Sequence, residues 1–278
     1  MDLHVWSGLF AVIVSLPVLA SLGVAVWTRF RGWTWWGPPT FLLGWLVAAG
    51  TVLSRLDSLG ERGSLSAHIA QHVILADLAA PLLLIGLAPQ LRMPLRRWYG
   101  RLASSKDQRA PIVVLALSPI GAAVLWSIAT YFWLVPPIHR LAITDGPVHL
   151  LDHASFLAFG LLVWLAAFDF RRGARVTDWE TLKAAHRTCD LPWWARHIYA
   201  MVTRLAMLPA VAAIWLAGSS AYFLAGQMPP DGLTRHEDQV RAASLMLGFE
   251  MLLFGLAVVL AFIFASVSEG RARQRGQG

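Results

Sequence analysis

The chain is poor in charge and nearly devoid of cysteine. Of its 278 residues, 14% are Asp, Glu, Lys or Arg and 57% are hydrophobic, whereas a water-soluble domain carries about 25% charged residues. That balance excludes an ordinary soluble domain and points to a membrane. A single cysteine, Cys189, excludes an intrachain disulfide framework and a CxxC metal clip. Standard catalytic signatures are missing as well: there is no GxSxG, HExxH, Walker loop or GxGxxG following a strand, so the chain reads as a non-enzyme. Internal repeats, low-complexity tracts and a second soluble domain are also lacking, and most connections are too short to fold alone. Residues 1–278 therefore read as one domain. The net charge of +7 does not argue for nucleic acid, because the basic residues lie between apolar stretches, where anionic lipid headgroups account for them.

What the chain does contain is a series of apolar windows of about 20 residues or more, enough to cross roughly 30 Å of hydrocarbon. They cover 5–27, 38–56, 66–87, 112–134, 148–168, 198–224 and 240–267. The expected fold class is all-α, a polytopic integral membrane bundle of seven transmembrane helices. Cytoplasmic connections accumulate Lys and Arg. Seventeen of these residues follow the first, third and fifth windows or lie in the tail, against five in the alternate connections, which predicts the N-terminus outside and the C-terminus inside. Asp2 precedes the first window, with no Lys or Arg, and Arg29 and Arg31 follow it, the flank order of a retained helix and not of a cleaved signal peptide. Pro17, Pro81, Pro119 and Pro209 fall inside windows and predict bends. In YFWLVPPIH, Pro136 and Pro137 predict a helix stop and an external turn. The stretch TDWETLKAAHR predicts a short interfacial helix. Trp33, Trp35, Trp36 and Trp133 read as interface anchors.

Two windows open in the same way. SLSAHIAQHVILADLAAPLLLIGLAP carries His68 and His72, and VHLLDHASFLAFGLLVWLA carries His149 and His153. A separation of four residues sets both rings of a pair on one helical face, about 6 Å apart along the axis. Both helices enter from the outer side, so the two pairs lie at similar depth. Imidazole in hydrocarbon is costly without a partner, and four rings in matched register ask for a ligand, most simply a metal. Neutral imidazole suits copper, zinc, iron and haem, whereas hard ions need oxygen ligands that are scarce here. Asp152, next to His153, is placed to orient an imidazole from behind.

The last window adds a third wall. In EDQVRAASLMLGFEML, Gln239, Met246 and Glu250 share a face that runs from the outer mouth toward mid-membrane, with Asp238 at the mouth. A thioether favours Cu(I), so Met246 beside imidazoles tips the expected metal toward copper, Cu(I) ahead of Cu(II), over zinc or haem. The expected ligand set is His68, His72, His149, His153, Met246 and Asp238, with Asp152, Gln239 and Glu250 behind it. Asp77 lies about 180° around its helix from His68 and points away from that ring. His4, His139 and His236 read as solvated single histidines.

The quoted histidine segments, YFWLVPP between them and EDQVRAASLM before the last window together resemble the seven-helix cytochrome c oxidase assembly factor family of the CtaG type, from Ser64 to the end of the seventh window. The resemblance implies a bacterial inner-membrane protein that matures haem-copper oxidases. It would handle copper near the periplasmic face and meet a respiratory oxidase subunit or a copper chaperone. It carries His68, His72, His149, His153, Asp238 and Met246 over to the family's positions. The chain departs from the family at Ala242 and Ala243, at His139 where an aromatic is usual, and at Asp77 and Glu250. Two other readings stay open on the residues alone: a membrane oxidoreductase with histidine-ligated haem, and a metal or ion transporter that uses Asp77 and Glu250.

Overall fold

A computed structural model describes residues 37–86, 115–116, 118–167 and 193–276, and these contain helices and connections but no strand. The elements are α1 (Gly37–Leu53), α2 (Arg55–Glu61), α3 (Leu65–Gly86), α4 (Pro119–Trp133), α5 (Pro136–Ala142), α6 (Gly146–Ala167), α7 (Trp193–Leu205), α8 (Leu208–Leu216) and α9 (Arg235–Gly276). Among the described residues four helical segments are long and apolar enough to cross a membrane, and six if each bent pair, α1 with α2 and α4 with α5, is one span. They match the second to seventh windows. The first window, the basic stretches 87–114 and 168–192, Cys189, His4 and the TDWETLKAAHR helix lie outside the described residues.

These helices are built for an apolar solvent. On α4, Ile120, Val124 and Ile128 are exposed at four-residue spacing, and on α9 Leu252, Leu256, Val259 and Phe262 are exposed. In water such faces would be turned inward; against lipid tails they cost nothing, and the polar side chains turn inward instead. α9 packs along α3 and α7, α4 along α6, and α1 against the middle of α3. With no hydrophobic drive between helices in lipid, close approach is achieved through small residues. A Cβ added to Gly160 of α6 would stand 2.8 Å from Ala76 Cα of α3, and one on Gly44 of α1 would stand 2.7 Å from Leu83 N.

Proline acts differently at each site. Pro119 does not bend a span; it occupies the first turn of α4 behind the cap Ser118, whose Oγ accepts from Gly121 N at 3.1 Å. Pro209 likewise sits in the first turn of α8. Ahead of Pro81, α3 widens into a π-helical turn over Ile74–Ala79, where Ala80 N–H reaches back five residues to Leu75 O. In that register Pro81 would donate next, to Ala76 O, and it has no N–H. Trp164 Nε1 of α6 supplies the donor, at 2.9 Å. Pro136 and Pro137 do end α4, but they also start α5, set at 81° to it. The fold therefore continues into the bundle where the sequence suggests an external turn.

The sixth window, expected to reach residue 224, ends as a helix at Leu216, and residues 217–234 run as an irregular cover. Tyr222 and Phe223 of that cover are buried in the core. Tyr222 Oη donates to Leu134 O at 3.0 Å, and Arg140 donates to Ala221 O. Burial pushes the Tyr222 hydroxyl above the ordinary phenol range and keeps it a donor. Trp133, expected at the interface, is also core, its Nε1 bonded to Ser155 Oγ at 2.7 Å.

Candidate metal centre

The depth of the first histidine pair is fixed by the start of α3. A buried helix N-terminus leaves four N–H groups in need of acceptors. Leu65 N–H donates to Asp238 Oδ2 at 2.6 Å, Ser66 N–H to Asp238 Oδ1 at 3.1 Å and Ala67 N–H to Ser64 Oγ at 3.3 Å. Asp238 thus clamps α9 to the head of α3, both of its oxygens accepting from that helix terminus. Gln239 turns its amide nitrogen to the end of α8, where Nε2 donates to Ile214 O and Ala217 O, 2.7 Å each.

One turn into α3, His68 and His72 meet α6, which Asp145 starts by accepting from Val148 N–H at 3.0 Å. The rings of His68 and His72 are 4.4 Å apart, those of His149 and His153 are 4.3 Å apart, and across the helices His68 lies 5.4 Å from His149 and 5.3 Å from His153. All four rings are buried. The two pairs converge as their spacing and common side of entry predict.

The carboxylate of Asp152 stands at the centre. His68 Nε2 and His72 Nε2 each lie 2.9 Å from Asp152 Oδ2. With the acid ionised, both rings donate to it through Nε2–H, and a neutral imidazole then has its lone pair on Nδ1. Those two Nδ1 atoms, Asp152 Oδ1 and His153 Nε2 are buried without a hydrogen-bond partner. Asp152 is therefore a member of the cluster and not only an orienting group behind it. Ligand atoms of His68, His72, Asp152 and His153 all fall within 4.8 Å of one another, and so do those of a second group, Asp57, His149 and His153.

Two members were not evident from the sequence. Asp57 of α2 is buried, accepts from Gln71 Nε2 at 2.7 Å and lies 3.5 Å from His149 Nε2. It follows the second window directly, without a histidine nearby in sequence, so no spacing rule singles it out. His139, read as solvated, is 3% exposed with its ring 5.0 Å from His68 and 5.6 Å from Tyr222. Its departure from the family's aromatic was the one available sign. His236, by contrast, is exposed.

Below the histidines, a cavity of about 20 Å³ is lined by His72, Asp77, Thr130, Phe156, Met246 and Glu250. Met246 packs in the core with Ile69 and Phe156 and faces this cavity. Phe156 stacks on the His72 ring at 3.8 Å. Glu250 and Asp77 turn to Arg204 of α7, at 3.3 and 2.7 Å from its Nη1. Arg204, 2% exposed and flanked by Trp126 and Trp164, is the third unanticipated residue.

Residues 18–266 match a family model described as cytochrome c oxidase caa3 assembly factor, Caa3_CtaG. No curated protein and no solved structure matches the chain.

Proposed function

We propose, from the premise that the chain belongs to the cytochrome c oxidase caa3 assembly factor family, that it serves oxidase assembly by binding copper at the histidine cluster and passing it on. The observation that carries this reading is Asp152. It is a fully buried carboxylate whose ion-pair partners among the described residues are imidazoles alone. An anion kept out of water needs a cation or several strong donors. Rings with unpartnered nitrogens around it suit a borderline transition-metal cation, and the Met246 thioether toward the cavity tips that choice to copper.

In this reading His68, His72, His153 and Asp152 hold the ion, with His149 and Asp57 beside them. Met246 supplies a thioether on the inner side, which supports Cu(I). Copper is cargo here, and no turnover is involved: imidazole and thioether ligands exchange Cu(I), whereas a closed thiolate cage would retain it. Tyr222 and its neighbours cover the site from the side that the charge pattern assigns to the exterior, so delivery is toward the periplasmic face of a bacterial inner membrane. The recipient is an oxidase subunit or a copper chaperone. Ring centroids 4.3–5.4 Å apart favour a compact ion over a haem plate between the helices. The ion pairs of Asp77 and Glu250 with Arg204 likewise engage the two acids that a transport path would use.

The test is Cu(I) titration of the detergent-purified protein against a competing chelator, with metal analysis of the loaded product. Copper should bind the native chain and be sharply reduced in His72→Ala and His153→Ala while both variants keep native helicity. Copper content equal to native in both variants would refute the site.

A further inference from the structure

Asp77, Arg204 and Glu250 hold one more negative group than positive. Arg204 cannot lose its proton, so two ionised carboxylates would leave a net charge of −1 in the membrane interior, where uncompensated charge is costly. The geometry also divides the two acids. Arg204 Nη1 donates to Asp77 Oδ1 at 2.7 Å, and Trp164 Nε1 adds a second donor to the same oxygen at 3.3 Å. Glu250 Oε2 lies 3.3 Å from that Nη1, is buried and makes no hydrogen bond. Thr130 Oγ1, also buried without a partner, lines the same cavity. That space of about 20 Å³ exceeds what one water needs, and it offers the polar neighbours that a buried water requires.

We propose that Asp77, Arg204 and Glu250 form a proton-binding site inside the bilayer, in which Glu250 carries the proton and exchanges it through the cavity shared with Thr130 and His72. Taking up one proton turns the Glu250 carboxylate into a carboxylic acid, and the group goes from −1 to neutral while Asp77 stays paired with Arg204. The other titratable groups around it are His72 of α3, whose Nε2 is engaged by Asp152, and Tyr199 of α7 near Arg204. The facing side chains of α4 and α6, Thr130, Trp126, Phe156 and Trp164, do not titrate. The site does not depend on the copper reading.

Infrared spectroscopy of the purified, copper-free protein at neutral pH tests this. A protonated-carboxyl band is expected that moves when glutamate carboxyls are isotope-labelled, stays put when aspartates are, shifts in deuterium oxide and disappears in Glu250→Gln. The labelling arm uses the unaltered chain, so it does not depend on the variant folding. No such band, a band that follows the aspartate label, or a glutamate band that survives Glu250→Gln would overturn the assignment.

Discussion

The bundle buries two polar regions on either side of one small cavity, and they are completed in opposite ways. Around Asp77, Arg204 and Glu250 a fixed guanidinium answers the acids and two indoles flank it. Around Asp152 no guanidinium or ammonium enters among the described residues; the neighbours are rings with unpartnered nitrogens. A buried charge that meets its counter-charge within the fold is part of the fold's own stability. One that meets only imidazoles leaves room for a cation from outside, which is the premise of the proposed copper site. His72 borders both regions, yet the difference predicts that each can be damaged without the other.

The largest expected effect is on the first region. Arg204→Met leaves the buried Asp77 carboxylate without its counter-charge, and removing one partner of a buried ion pair costs about 3–5 kcal/mol. Thermal unfolding in detergent should fall accordingly, with copper per folded chain unchanged. A parallel loss of copper from the folded fraction would erase the distinction between the regions. Next comes His68→Ala, since this ring lies within 5.4 Å of His72, His139, His149 and His153. Copper affinity should drop by at least the ~10–100-fold seen when groups behind a metal ligand are changed. Chelator competition measures it, and a drop below tenfold would remove His68 from the ligands. Asp57→Asn should act more weakly, about tenfold, because it weakens only the group that contains His149 and His153. An effect as large as that of His68→Ala would move the ion toward α2.

Much of this arrangement was legible in the sequence because periodicity encodes faces. The paired histidines, the shared face of Gln239, Met246 and Glu250, and six of the seven apolar windows all follow from spacing and length. What spacing does not encode is which polar group meets which across helices. Asp238 and Gln239 point the right way but end on backbone groups of α3 and α8, partners set by where those helices begin and end. Arg204 is a single charged residue inside an apolar window and Asp57 one at a window's end, neither with a periodic companion. His139 was concealed by a proline pair that reads as a stop but starts a second helix at 81°, which turns an apparent loop residue into a buried one.

The smallest effect belongs to the cover over the histidines. Tyr222→Phe removes the hydrogen bond to Leu134 O but keeps the ring beside His139, so the expected cost is about 0.5–1.5 kcal/mol, with copper binding as in the native chain. The phenol of Tyr222 is raised above its ordinary value by burial. A group raised on folding stabilises the fold fully below its unfolded value and loses that contribution only as pH rises through the folded one. The stability gap between native and Tyr222→Phe should therefore stay level through neutral pH and close only at strongly alkaline pH, as read from unfolding at a series of pH values. A gap that instead changed within the neutral range would show that the Tyr222 hydroxyl does more than donate to Leu134 O.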